Sequence, residues 1–153
     1  MGADVYLEKA YDKKYADHKE TLDSFPKANS DVELTEVQRK HMSDIYDDLY
    51  KQGDVYFRDS YNSGSVLWAM NLSWWDDILP MCDDEGYLDA DGIRKFLDMV
   101  EDAPLHVSQG FQEHMPSEWT YDDALEYLQE EQNLLISFLK KALDTNDRLS
   151  CSL

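Results

Sequence analysis

The chain has 153 residues and a formal net charge of −19, because 33 acidic side chains outnumber 14 lysines and arginines. A field of one sign repels nucleic acid and anionic lipid, and it attracts cations and basic proteins. The composition therefore excludes a direct nucleic-acid binder and a membrane-surface protein. Since 42% of the residues are hydrophobic and 12% aromatic, the chain differs from disordered acidic tails, and we expect one acidic domain over residues 1–153.

Two further features indicate a cytoplasmic protein. No stretch approaches the 18 or so apolar residues that a membrane span needs, and the N-terminal segment lacks the basic start and apolar run of a signal peptide. Cys82 and Cys151 are far apart and have no CxxC spacing. We therefore expect reduced thiols rather than a disulfide framework or a zinc site.

The first half of the chain predicts a short strand and two helices. Val5–Leu7 has the composition of a strand, and the next helix covers Asp12–Phe25 because Pro26 cannot continue it. A third element, Thr35–Gln52, begins with the spacing of a capping box, in which Gln38 is the third helical residue. Apolar residues recur every four positions along it, which is typical of a helix.

The second half is predicted to be mostly helical as well. Residues 53–65 indicate an extended piece or loop, followed by two short helical turns over residues 66–71 and 73–79. Asp89 is expected to cap a helix that ends near Pro104. The last helix, Tyr121–Leu143, has an apolar stripe at 3.6-residue spacing, made of Ala124, Leu128, Leu135, Phe138, Leu139 and Ala142.

These elements predict a mainly α fold, a single-domain helical bundle of about five or six helices. The tail from residue 147 to residue 153 alternates weakly and is compatible with an edge strand. A small strand pair between the N-terminal and C-terminal segments is the one β feature that we expect.

No motif for catalysis or metal binding stands out. The segment from Cys82 to Gly92 is similar to a calcium loop, but its first and twelfth positions would be Met81 and Gly92, so the two most valuable ligands are missing. An acidic turn followed by a helix cap is the simpler interpretation. Nucleophile elbows, phosphate loops and zinc signatures are also missing. We expect a non-enzymatic protein with no cofactor and no metal.

The last helix carries acidic residues that a purely structural helix would avoid. Asp122, Glu126 and Glu130 lie at i, i+4 and i+8, and Glu131 follows. Each neighbouring pair of like charges costs about 0.2–0.5 kcal/mol. From Ser60 to Leu139 only two side chains are basic, against 17 acids. These four acidic residues are therefore our first candidates for binding a partner.

A second candidate patch lies in the aromatic segment before residue 80. Adjacent Trp74 and Trp75 cannot both point inward from a short helix, so one should stay near the surface beside Asp76 and Asp77. We assign Trp75, Asp76 and Asp77 to the partner-binding surface. The simpler alternative is that the aromatic residues are core and that Arg58 is a structural anchor.

The sequence thus favours an acidic binding protein that docks on a basic surface of another protein, such as a nucleic-acid-binding protein, and blocks it as a nucleic-acid mimic would. The alternative is a small-molecule or metal-responsive module with an aromatic pocket around Arg58. That pocket would consist of Tyr56, Arg58, Tyr61, Trp68 and Trp74.

The strings GADVY, YFRDSYN and SWWDD are similar to a group of small uncharacterised bacterial and phage proteins. This resemblance implies no function. In composition alone the chain also resembles phage-encoded inhibitors of bacterial defence and immunity proteins that neutralise basic toxins. That likeness carries no residue-level correspondence.

Overall fold

The structure is a computed structural model that describes residues 2–153. It combines six α-helices with a four-stranded antiparallel sheet in the order β2-β1-β4-β3. The strands are β1 Gly2–Leu7, β2 Tyr56–Ser60, β3 Tyr87–Leu88 and β4 Leu149–Ser152. The helices are α1 Glu8–Ser24, α2 Glu36–Leu49, α3 Val66–Ala69, α4 Ala90–Val100, α5 Gln109–His114 and α6 Tyr121–Asp144. A π-helical turn, Trp74–Ile78, and a 3₁₀ turn, Leu79–Met81, lie between α3 and β3.

The prediction of a mainly α bundle is wrong, because the sheet organises the fold. Strand β1 pairs with both β2 and β4, and β4 also pairs with β3. The C-terminal strand is therefore an interior strand rather than an edge strand. The two strands that were missed are short, and their partners lie fifty or more residues away in sequence, so local periodicity gives no signal for them.

The helix boundaries follow capping chemistry closely. The hydroxyl oxygens of Thr35 and Thr120 each accept the backbone N–H of the third helical residue. The side chain of that third residue accepts the backbone N–H of the threonine, so both threonines begin α-helices with complete capping boxes. The Asp89 carboxylate accepts the Gly92 N–H at 2.9 Å and caps α4, as predicted. Helix α1 begins at Glu8, four residues before the predicted start.

Alternation along β1 places the core on one face of the sheet. Ala3, Val5 and Leu7 are buried, whereas the residues between them are partly exposed. The predicted stripe of α6 is buried along its whole length and packs in the same cluster. Helices α3 and α4 also contact α6. None of the helices in residues 2–153 is long and apolar enough to cross a bilayer.

The α1–α2 hairpin forms a second, smaller hydrophobic cluster around Phe25, Ile45 and Leu49. Tyrosine side chains connect this hairpin to the other face of the sheet. Tyr6 and Tyr56 are cross-strand neighbours with ring centroids 5.2 Å apart, and both contact tyrosines of the hairpin. The sheet is thus covered on both faces, and strand β2 remains at its edge.

Candidate functional site

Arg58 and Asp59 lie on opposite faces of β2, because successive residues of a strand alternate. Arg58 forms a cross-strand ion pair with Asp4, with Nη1 and Oδ1 2.8 Å apart. Tyr56 donates its hydroxyl to the same Asp4 carboxylate. Burial, followed by that hydrogen bond, raises the pKa of Tyr56 to about 12. The Arg58 guanidinium is therefore paired with a carboxylate of the same chain.

Asp59 faces the core and is buried. Its carboxylate accepts the hydroxyl of Ser65 at 2.7 Å, the N–H of Val66 at 3.0 Å and the indole N–H of Trp74 at 2.8 Å. These donors hold the first turn of α3 and the π-helical turn against the edge strand. The group has the geometry of a structural anchor, since its acceptor sites are directed at the chain's own donors.

The predicted pocket of Tyr56, Arg58, Tyr61, Trp68 and Trp74 does not form. Trp74 is buried on the Asp59 side of the sheet, and Arg58 lies on the other side. Trp68 is exposed, and Tyr61 packs on Trp75 instead. The error follows from treating neighbours in sequence as neighbours in space, although a strand separates them onto two faces.

The Trp75 patch has the arrangement that the sequence indicated, with one tryptophan inside and one outside. Trp74 is 2% exposed, whereas Trp75 is 51% exposed. Asp76 is exposed beside it, and Asp77 accepts the backbone N–H of Ser73 at 2.8 Å. Asp77 therefore has a local structural role, and Trp75 with Asp76 forms the accessible part of the patch.

The acidic turn 83–86 also satisfies its own backbone. The Asp83 carboxylate accepts the N–H groups of Glu85 and Tyr87 at 3.0 and 2.9 Å. Together with the Asp89 cap, this arrangement matches the simpler interpretation of the calcium-like segment. Within residues 2–153, no group of three or more histidine, cysteine and acidic side chains is placed to hold a metal ion.

The predicted acidic residues of α6 are placed differently from one another. Glu126 and Glu130 are exposed, and neither takes part in an ion pair within residues 2–153. Glu131 is partly buried and accepts the side-chain amide of Gln52 at 3.2 Å. Asp122 is exposed in the first turn and lines none of the cavities described below.

Three neighbouring cavities share Tyr127 as a lining residue, and we call them together the Tyr127 groove. The largest of the three, about 520 Å³, lies between the loop of residues 62–64 and the α5–α6 segment. A second, about 350 Å³, opens over the exposed face of α6, and a third, about 380 Å³, reaches the β2 edge. The ring of Tyr127 therefore lies where the three cavities adjoin.

Aromatic rings form the apolar walls of the groove. Tyr127 lies between Trp119 and Phe111, with ring centroids 5.5 and 6.2 Å away. Helix α5 closes one end, and Gly110 allows this close approach because a Cβ there would lie 2.8 Å from the Cβ of Ser63. Tyr127 is 40% exposed, so its ring is accessible from the groove.

The 350 Å³ cavity has an unusual wall. Its six lining residues are two aromatic and four acidic: Trp119, Tyr127, Glu118, Asp123, Glu126 and Glu130. No lysine or arginine lines this cavity or the 520 Å³ one. The one basic residue in the third cavity is Arg58, which pairs with Asp4. The negative charge of the groove is therefore largely uncompensated.

Two side chains that line the groove have raised pKa values, and burial is the largest cause of both. Burial, followed by the charges of Asp59 and Glu130, raises the pKa of Glu131 above its ordinary value, although the hydrogen bond from Gln52 opposes the shift. The pKa of Tyr127 is raised by burial and then by the charges of Glu131 and Asp59. A bound cation would oppose the part of each shift that comes from neighbouring negative charge.

Sequence reasoning found Glu126, Glu130 and Glu131 but missed the aromatic residues beside them. Trp119 and Tyr127 were not assigned a role, and α5 was not predicted at all. Trp119 precedes the Thr120 cap and has no periodic partner nearby. The one available signal was Tyr127 at a position outside the apolar stripe of α6, next to an acidic residue.

A second depression, about 910 Å³, lies beneath the loop between α1 and α2. Its wall mixes both signs of charge, with Lys27 and Arg39 beside Asp23 and Glu33. It therefore lacks the one-sided charge of the Tyr127 groove.

No protein-family model, curated protein or solved structure matches this chain.

Proposed function

We propose that this protein is a non-enzymatic binding protein that docks a basic segment of another protein along the Tyr127 groove and thereby blocks that segment. The observation that carries the proposal is the coincidence of unpaired carboxylates and accessible aromatic rings on one side of α6. Acidic residues supply long-range attraction, and aromatic residues in a groove supply most of the affinity at protein interfaces.

The placement of charge along α6 supports this function. In the C-terminal half, Lys140 pairs with Glu101 and Lys141 pairs with Asp54. In the N-terminal half, Glu126 and Glu130 repel each other, and neither forms an ion pair with any of the residues from 2 to 153. A helix selected for stability alone would carry mixed charges on this face, whereas a basic partner would turn the repulsion into attraction.

The class of partner follows from the same charge. A basic segment that normally contacts phosphates is complementary to an acidic surface, so nucleic-acid-binding proteins are the class that fits best. The exposed Trp75 and Asp76 lie close to this surface, because Tyr61 packs on Trp75 and the next three residues line the groove. We assign them to the periphery of the same docking surface.

The test uses a fluorescently labelled peptide of alternating lysine and arginine and measures anisotropy at two salt concentrations. The double variant Glu126→Lys and Glu130→Lys should weaken binding at least tenfold. The matched control is Asp17→Lys with Glu20→Lys, which makes the same change of charge on exposed residues of α1. Its effect should be several-fold smaller, because these residues are outside the groove.

Binding should also weaken about tenfold between 50 and 300 mM salt, as expected for association driven by charge. Equal losses in the two double variants would show that only net charge matters, and the docking surface would then be rejected. Absence of peptide binding to the wild-type protein at low salt would reject the function itself.

A further inference from the structure

We infer that the 350 Å³ cavity of the Tyr127 groove is a seat for one arginine side chain of the basic partner, with the guanidinium stacked against Trp119 and Tyr127. This inference rests on the proposed function and makes it more specific. It names the chemical group that the groove selects, which net charge alone does not determine.

The aromatic pair provides the first argument. The rings of Trp119 and Tyr127 have centroids 5.5 Å apart and an interplanar angle of 50°, and both line the cavity, so a planar cation inside it can lie over a ring face. A cation over a tryptophan or tyrosine face is attracted by the quadrupole of the ring, and tryptophan is the best partner. In the part of the chain that the structure describes, no cation lies over either ring, whereas the Arg148 guanidinium lies 3.6 Å from the ring centroid of Tyr87.

The acidic rim provides the second argument. All four remaining residues that line the cavity are acidic, and no base lines it. Asp123 accepts the backbone N–H of Thr120, so one of its oxygens is used in the cap. Glu118, Glu126 and Glu130 are exposed and accept no hydrogen bond from residues 2–153, so their carboxylates can accept the N–H groups of a guanidinium.

The shape of the guanidinium explains the preference for arginine over lysine. Guanidinium is planar, weakly hydrated and able to bind carboxylates through two N–H groups while it stacks on a ring. An ammonium group is a strongly hydrated point charge, which loses more hydration on entering an aromatic cavity. The adjoining 520 Å³ cavity, lined by Phe111, Met115 and Pro116, would receive the apolar part of a neighbouring residue.

Calorimetric titration of the full chain with hexa-arginine and with hexa-lysine tests the inference. We expect the wild-type protein to bind hexa-arginine about tenfold more tightly than hexa-lysine. The variant Trp119→Leu keeps an apolar side chain but removes the ring, and it should reduce this ratio to about two. Trp68→Leu is the matched control, because Trp68 is an exposed tryptophan that lines none of the three cavities of the groove.

Failure of this inference differs from failure of the proposed function. If both peptides bind equally and Trp119→Leu has no effect while Glu126→Lys with Glu130→Lys still abolishes binding, the groove docks a basic segment but has no arginine seat. If neither peptide binds, the function fails as well. Trp119→Phe, which keeps a ring, should retain most of the preference, and thermal unfolding of each variant shows that it is folded.

Discussion

The indole N–H of Trp74 donates a 2.8 Å hydrogen bond to the carboxylate of Asp59. Both side chains are buried, and the bond joins the π-helical turn to the edge strand of the sheet. The ring of Trp74 also meets Phe96 of α4 edge to face, with centroids 5.5 Å apart. This contact connects the strand behind the groove to the helical layer that supports α6.

The variant Asp59→Asn should destabilise the protein by about 3 kcal/mol, because an amide would direct its own N–H groups at donors that now bond to a carboxylate. Urea unfolding at pH 7 measures the change. Asp76→Asn makes the same substitution on an exposed residue nearby and should change the free energy of unfolding by less than about 0.5 kcal/mol. Similar losses in both variants would contradict the anchoring role of Asp59.

A buried amide on α6 leads to a second prediction. Gln132 is 3% exposed, and its Nε2 donates to the backbone carbonyls of Val100 and Ala103 at 2.9 and 3.0 Å. Gln132→Leu should therefore cost about 2 kcal/mol, although leucine is more apolar, because two carbonyls at the end of α4 lose their donor. Asn133→Leu on the exposed face is the control, and a stabilised Gln132→Leu variant would be the contrary result.

The helices other than α5 were predictable because their signals are local. The stripe of α6 and its capping residue Thr120 lie within a few residues of each other, so one window of sequence contains the information. The sheet depends on pairings such as Tyr87 with Ser150, which no window contains. A strand of two residues also has no periodicity to detect.

In the candidate site, too, the sequence predicts the residues whose signal is local and not those that become neighbours only on folding. Carboxylates four residues apart, such as those of Glu126 and Glu130, can be recognised from the sequence because they repel each other on one face of the helix. The 520 Å³ cavity is assembled from three separate segments, namely the loop of residues 62–64, the α5 region and α6. Trp119 and Phe111 become neighbours of Tyr127 only after the chain folds, so their role required the structure.

The pH dependence of stability should show the effect of Glu131. Folding raises the pKa of Glu131, so the Glu131 carboxyl contributes stability at acid pH. This contribution is lost as the pH rises through the folded pKa. Glu131→Gln removes this titration and keeps an acceptor for Gln52. The variant should therefore be more stable than the wild type at pH 8 and similar at pH 4.5, as measured by thermal unfolding.

The charged and titratable groups around Glu131 are Asp59, Glu130, Tyr127 and Arg58, and none of them is changed by this substitution. A constant difference between wild type and variant at both pH values would contradict the assignment.

Three other acids should act in the opposite direction. Hydrogen bonds from basic side chains lower the pKa of each of these carboxyls. Glu8 accepts from Arg148, Asp48 accepts from His18 and Lys14, and Asp54 accepts from Lys14. A carboxyl whose pKa is lowered by folding stabilises the folded state at pH values above its unfolded pKa. This stabilisation is lost as the pH falls through the folded pKa. We expect acid unfolding below about pH 4, and Lys14→Met should move its midpoint upward. An unchanged midpoint would exclude Lys14 as the stabilising partner.

The two cysteines, remote in sequence, shift each other's pKa, and this predicts unequal reactivity. The neighbouring Cys151 side chain lowers the pKa of Cys82, whose thiol donates to the Ile78 carbonyl at 3.7 Å, whereas Cys82 and burial raise the pKa of Cys151. The thiolate is the nucleophile in alkylation, so iodoacetamide at pH 7.5 should modify Cys82 roughly tenfold faster than Cys151. Peptide mass spectrometry after timed quenching measures both rates.

Cys151→Ala removes the neighbouring thiol and should shift the pH midpoint for alkylation of Cys82 upward, whereas Cys151→Ser keeps a hydroxyl donor and should shift it less. Because both substitutions leave a small side chain in strand β4, differences in packing cannot produce the same order. If the two variants and the wild type share one midpoint, then Cys151 does not stabilise the Cys82 thiolate, and the contact between the thiols has no chemical consequence.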